Sequence, residues 1–228
     1  APDAPLFDLF DQALVEEWDR ELDRLLVEAS RGPDEQLEVQ LPTSVSASAM
    51  LRWSAAPDDF IEELVRPMPA QPSPAARFGT RFHAWVEQRF GQQDLFEAEE
   101  LPGRGDAGID DDADLAALID AFEAGPFGER IPQALEQPFA LHLAGQIIRG
   151  RIDAVYANPD GTYSVVDWKT GRHESADPMQ LALYRLAWAE LHGLPVERVR
   201  AAFYYVRTSR VVEPPGLPGR NGLEEWVS

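Results

Sequence analysis

Apolar and polar positions change period several times along the chain, and each change marks an element. Between about residues 8 and 31, Leu14, Trp18, Leu22, Leu25 and Leu26 recur at helical spacing until Gly32-Pro33, which predicts a long amphipathic helix. Residues 37–41 predict a short strand. Thr43-Ser-Val-Ser-Ala-Ser48 then precedes two apolar runs, Met50-Leu-Arg-Trp53 and residues 58–66. Hydroxyl residues ahead of an apolar run are a helix N-cap signature, and Pro67 closes the second helix. Residues 67–74 form a proline-rich linker. Phe82, Trp85, Val86 and Phe90 make the apolar stripe of the next helix, with His83 and Glu87 together on an adjacent face. An acidic, glycine-containing loop over about 96–114 leads to a helix carrying Leu115, Leu118, Ile119 and Phe122. Its Asp110-Asp-Asp112 run lacks the ligand spacing of a calcium loop and reads as solvated charge at a helix start.

From there the period falls to two. Residues 134–143 and 146–149 read as a hairpin turning at Ala144-Gly145, with Pro138 placing the first strand near an edge. Gly150-Arg-Ile-Asp-Ala-Val-Tyr156 continues the second strand. The turn Asn158-Pro-Asp-Gly161 then leads into Thr162-Tyr-Ser-Val-Val-Asp-Trp-Lys-Thr-Gly171, giving three strands in a meander. Alternation puts Asp167 and Lys169 on one face and Val166 and Trp168 on the other. In the preceding strand it groups Arg149, Arg151, Asp153 and Val155 against Ile148, Gly150, Ile152, Ala154 and Tyr156. Asp177-Pro178 predicts an N-cap and first helical position, and the helix runs to about His192 before Gly193. Gln180 and Tyr184 share one of its faces. Residues 199–207 predict a strand, and residues 223–227 a short element in an otherwise looped tail.

The composition narrows the class. With 228 residues, 44% hydrophobic and 26% charged, the chain can bury a core as one domain with helical additions. No run of about 18 apolar residues suggests a membrane span, and the N-terminus has neither the basic region nor the apolar core of a secretory signal, so a cytoplasmic location is expected. The chain opens at Ala1, as a piece excised from a longer protein would. Zero cysteines exclude disulfides and thiolate metal sites. A net charge of −20, from 40 acidic and 20 basic residues, predicts weak affinity of the isolated chain for a polyanion.

The chemistry concentrates on the second hairpin. If pairing brings its polar faces together, Asp153, Asp167 and Lys169 converge on one small volume. Two carboxylates beside an ammonium on apolar strands are costly unless a bound divalent cation compensates them. Of the 20 basic residues 19 are arginine, so Lys169 is the single lysine. Unlike arginine it is a compact point charge whose pKa can fall on burial.

Asp153 followed by Asp167-Trp-Lys169 resembles the PD-(D/E)XK nuclease superfamily. The fuller set, with Gly79-Thr-x-Phe-His83, Gly150-Arg-Ile-Asp153, Asp167-Trp-Lys-Thr-Gly171 and Gln180-Leu-Ala-Leu-Tyr184, is similar to its RecB-type nuclease domain, and most like the nuclease module of an AdnAB-type helicase–nuclease. The resemblance covers roughly residues 44–205. It implies an α/β (mixed α+β) fold with a restriction-endonuclease-like core: a central mixed sheet with a β-meander flanked by helices, plus extra N-terminal helices. The expected division is a helical arm and linker over 1–42 and a nuclease domain over 43–228.

It further implies metal-dependent hydrolysis of DNA phosphodiesters, as an exonuclease acting on a single strand or a resected duplex end. Asp153, Asp167 and Lys169 would be catalytic. His83, Asp153, Asp167 and the backbone carbonyl of Trp168 would ligate Mg²⁺ or Mn²⁺, and Gln180 and Tyr184 would hold the substrate. Some relatives carry an iron–sulfur cluster, which a cysteine-free chain cannot bind. By its position beside His83, Glu87 would either join the ligands or only orient His83. Glu136, which precedes Pro138-Phe139 as an acidic residue often does in this family, faces either the site or the solvent. No phosphate-binding Gly-x-x-x-x-Gly-Lys motif is present, so a helicase motor would come from the same polypeptide or a partner subunit. The competing reading is a catalytically silent nuclease fold that guides DNA within such a complex.

Overall fold

The computed structural model describes residues 9–30, 42–67, 74–91, 109–174 and 176–227. The chain divides into two compact units, Ala1–Gln40 and Leu41–Ser228. The first contains helix α1 (Leu9–Ser30), whose apolar residues Trp18, Leu22, Leu25 and Leu26 are exposed. The strand expected at 37–41, most of the proline-rich linker and residues 96–108 of the acidic loop lie outside the described residues.

The second unit is built on one six-stranded mixed sheet. In chain order it has β1 (Ser44–Ser46), α2 (Ala47–Ala55), α3 (Pro57–Val65), α4 (Pro74–Arg89), α5 (Ile109–Glu123), β2 (Ala134–Leu143), β3 (Gln146–Ala157) and β4 (Tyr163–Lys169). There follow α6 (Pro178–Leu191), β5 (Val199–Tyr205), β6 (Arg210–Val212) and α7 (Arg220–Val227). The strands run β1-β3-β4-β5-β6, with β2 pairing β3 from its other side. β2, β3 and β4 are the expected antiparallel meander, while β4-α6-β5 is a parallel crossover. The mixed sheet with flanking helices is the architecture expected from the resemblance.

Local chemistry sets the corners. Ala144 (φ 47°) and Gly145 (φ 81°) both occupy the left-handed region, which matches the twist of a two-residue hairpin turn. At the next turn the Gly161 N–H donates to the Asn158 carbonyl, and the Asp160 carboxylate accepts from the backbone and hydroxyl of Thr162. Asp177 caps α6 by accepting from the Met179 N–H, with Pro178 at the first helical position. Ser46 caps α2 in the same way. Helix α5 starts at Ile109, so Asp110, Asp111 and Asp112 begin a helix where a loop to residue 114 was expected; early acidic residues complement the helix dipole.

Two apolar layers cover the sheet. On one face Ile148, Ile152, Val155, Val165 and Phe203 pack with Leu181, Tyr184 and Trp188 of α6, Met50 of α2 and Leu223 of α7. On the other, Ala154, Tyr156, Val166, Trp168 and Tyr204 pack with Phe82 and Val86 of α4 and Leu118 and Phe122 of α5. These memberships correct the expected faces of β3. Ile152 and Val155 lie on the α6 side, and Ala154 and Tyr156 on the α4 side, so alternation shifts by one position at Asp153. The cause lies across the ladder. Leu135 pairs with Ala154 and Gln137 with Ile152, while Glu136 between them has φ 43° and breaks the run opposite Asp153. The dislocation re-aims the strand at Asp153, as a bulge would. Gly150 nearby has a packing reason: a Cβ there would meet the Phe139 ring at 2.7 Å.

Candidate active site

The site forms where β4 leaves β3. Their pairing runs from Ala157–Tyr163 to Ala154–Val166 and stops there, so Asp153 and Asp167 stand at the fork. The expected face-to-face pairing of polar residues is replaced by an opening between the strands. The Trp168 N–H, freed from the ladder, donates to Asp153 Oδ2 at 2.8 Å. Asp153 (7% exposed) and Asp167 (2%) are the buried charged side chains among the described residues.

Two arms converge on this fork. From α6, Gln180 and Tyr184 meet the strand: Lys169 Nζ donates to Gln180 Oε1 at 2.8 Å, and Gln180 Nε2 donates to the Tyr184 hydroxyl at 3.0 Å. The same ammonium lies 2.7 Å from Asp167 Oδ2. That approach falls outside hydrogen-bond angles, so among the described residues Asp167 Oδ2 is buried beside a cation yet accepts no hydrogen bond. From α4, His83 presents Nδ1 to Glu136 Oε1 at 2.8 Å and Nε2 toward Asp153 Oδ2 at 3.8 Å. The broken ladder at Glu136 is what turns its carboxylate inward.

The structure thus brings His83, Asp153, Asp167, Lys169, Gln180 and Tyr184 together, and it adds Glu136. One ligand atom from each of His83, Glu136 and Asp153 lies within 4.8 Å of the others. Glu136 stands where Glu87 was expected, at the second nitrogen of His83. Glu87 itself is half-buried on α4.

The electrostatics follow from crowding anions in a dry place. Burial and the neighbouring Asp167 push the Asp153 carboxyl well above the usual range, against the opposing pull of His83. Burial alone would lower His83. The Glu136 hydrogen bond and the charges of Asp153, Glu136 and Asp167 outweigh it and raise the imidazole to about 9. The Tyr184 hydroxyl is pushed up by burial and by Asp167 and Asp153, so it stays protonated and able to donate. Three carboxylates against one lysine and one histidine, with a buried carboxylate oxygen lacking a hydrogen bond, fit a divalent cation. Oxygen ligands with one imidazole suit Mg²⁺ or Mn²⁺.

The loop after Lys169 is pinned by Arg207. Its Nε donates to the Thr170 carbonyl at 2.8 Å, its two terminal nitrogens grip Asp114 at 2.8 and 2.7 Å, and it stacks 5.2 Å from the Phe78 ring. One guanidinium therefore ties the end of β4 to α4 and α5. This pairing also holds the Asp114 carboxyl below its ordinary value.

The family model of the PD-(D/E)XK nuclease superfamily matches residues 44–225. A crystal structure of a candidate exonuclease from Eubacterium rectale superposes with a TM-score of 0.53 at 15% identity, over 83% of this chain and 82% of that one. Over 81 residues the chain is 35% identical to the gene 69 protein of Mycobacterium phage D29. That match takes in 36% of this chain and spans 29% of the phage protein's length.

Proposed function

Since the chain belongs to the PD-(D/E)XK nuclease superfamily, we propose that it hydrolyses DNA phosphodiester bonds with a divalent cation at the fork between β3 and β4. The observation that carries this reading is the buried pair Asp153 and Asp167 where the sheet opens, beside the chain's single lysine. His83, Glu136, Asp153 and Asp167, with the backbone carbonyl of Trp168, are the groups that would hold Mg²⁺ or Mn²⁺. Such an ion supplies Lewis-acid polarisation of the phosphate and lowers the pKa of water.

The chain's own residues supply the rest. Glu136 takes the Nδ1 proton of His83 as a hydrogen bond, which leaves Nε2 as the ligating nitrogen directed at Asp153. Gln180 fixes Lys169 by accepting from it, and Gln180 is held in turn by the Tyr184 hydroxyl. A preorganised ammonium beside the scissile phosphate stabilises the negative charge that grows in the transition state and orients the attacking water. Tyr184 and Gln180 border the same space and contact the substrate strand.

The finer reading is an exonuclease of RecB type, the nuclease module of a helicase–nuclease that resects DNA double-strand breaks. The wording of the Gly-Thr-x-Phe-His83, Asp167-Trp-Lys-Thr-Gly171 and Gln180-x-x-x-Tyr184 motifs supports it. In this reading residues 43–228 are the nuclease domain and 1–42 its appended arm. The test offers linear and circular single-stranded DNA side by side with Mg²⁺, Mn²⁺ or EDTA. Degradation of the linear strand alone, only with metal, is expected. Cutting of the circle would refute the exonuclease assignment, and inert linear DNA under every metal would refute the nuclease.

A further inference from the structure

One side of the sheet departs from the acidity of the rest of the chain. The protein has 40 acidic residues in 228, yet residues 42–57 and 137–152 contain none. The fold lays these two stretches side by side, because β1 and β2 flank the first half of β3. Arg149 and Arg151 stand at the centre of this acid-free region. Both are exposed, and because Ile148 and Ile152 face α6 they stand on the opposite side of the sheet, the side from which His83 of α4 reaches the fork. Their ladder partners are small: Arg149 lies between Ser46 and Ala140, and Arg151 opposite Pro138.

These two cations are also uncommitted. In this unit the other arginines with described side chains are engaged. Carboxylates hold Arg52, Arg81, Arg89, Arg200, Arg207, Arg210 and Arg220. Arg130, Arg185 and Arg198 donate to carbonyls, Arg172 stands near Asp114, and Arg66 has an interaction of its own. Arg149 and Arg151 make neither an ion pair nor a side-chain hydrogen bond among the described residues. Two residues along a strand is about 7 Å, and Arg149 is about 13 Å from Asp153. The pair therefore forms a short row of charge that ends at the fork.

We infer that this face guides a single DNA strand into the site, with Arg149 and Arg151 contacting successive backbone phosphates as the strand approaches Asp153 and Asp167. The inference rests on the nuclease reading and adds the path of the substrate. In a chain of net charge −20, two arginines without a partner among the described residues, on stretches of strand that carry no acidic residue, are where a polyanion meets attraction instead of repulsion.

The test measures binding apart from cleavage. Fluorescence anisotropy of a labelled oligothymidine, with Ca²⁺ present and KCl varied, gives the salt slope of binding. Each phosphate contact on a single strand contributes about 0.7 to that slope. Arg149→Gln and Arg151→Gln should each lower it by about 0.7, the double variant by about 1.4, and Arg→Lys at either position should restore it. Arg220→Gln, whose arginine is tied to Glu190 and Glu224, should leave the slope unchanged. A double variant with the wild-type slope, or a wild type that binds no oligothymidine, overturns the inference. Mn²⁺-dependent cleavage of the same oligothymidine is followed in parallel. Loss of slope in the arginine variants without any wild-type cleavage supports the binding face while defeating the nuclease reading.

Discussion

Divalent-cation affinity should rise steeply with pH. In the metal-free site burial would lower His83, but Glu136, Asp153 and Asp167 raise it to about 9, so at neutral pH the ring carries a proton. An imidazole that ligates a cation must surrender that proton. The rise from 6.5 to about 9 corresponds to about 3 kcal/mol at about 1.36 kcal/mol per unit, and the displacing ion has to supply it. The Mn²⁺ association constant should therefore grow about tenfold per pH unit below pH 9, or about a hundredfold from pH 6.5 to 8.5. Asp153, also raised, makes the dependence steeper. Glu136→Gln keeps an oxygen acceptor for Nδ1 while removing one of the charges. Its curve should level off at lower pH, and its affinity at pH 8.5 should fall about 10- to 100-fold. Calorimetry in buffers of different ionisation enthalpy counts the protons released, with at least one per ion expected near pH 7.5 for the wild type and fewer for the variant. A pH-independent affinity, or no proton release, would refute this account of the His83–Glu136 pair.

Three further outcomes follow from particular contacts. Because the folded pKa of His83 is raised, its stabilising contribution is complete below pH 6.5 and is lost as pH rises through about 9, and Asp153 works in the same direction. Thermal melts of metal-free protein should thus show stability on the order of 3 kcal/mol lower at pH 9 than at pH 6, with Mn²⁺ shrinking the gap; a melting temperature that climbs over this range contradicts it. Gly150→Val forces a side chain into the Phe139 ring and should cost about 1–3 kcal/mol in urea unfolding, whereas an unchanged midpoint would mean that the ring moves freely. Arg207→Ala removes the partner of Asp114 and the donor to Thr170, costing about 1–3 kcal/mol and lowering kcat more than KM; equal activity per folded molecule would show that the β4 end positions itself.

Local chemistry was the readable part of the sequence. The Asn158–Gly161 turn, the Asp177-Pro178 cap and the Ala144-Gly145 hairpin each depend on residues within one turn of chain, and all three form where spacing placed them. His83, Asp153, Asp167 and Lys169 were legible as motifs. Their meeting depends on β3 and β4 parting after Ala154–Val166, which alternation alone does not express. Glu136 was ambiguous for a related reason. Its inward turn comes from a positive φ in mid-strand, and with it the faces of Val155, Ala154 and Tyr156 exchange. The short strands β1 and β6 carry too few residues to show a period. β1 pairs with β3 across about a hundred residues of chain, information held in neither segment by itself.

The central claim is that the fork between β3 and β4 is where phosphodiester bonds are cut. The most direct measurement compares metal-dependent cleavage of labelled single-stranded DNA by the wild type, Asp167→Ala and Lys169→Ala, with circular dichroism confirming that each is folded. The account predicts cutting by the wild type that is absent from Asp167→Ala and reduced about 100- to 1,000-fold in Lys169→Ala. Cleavage persisting at the wild-type rate in folded Asp167→Ala would place the chemistry elsewhere.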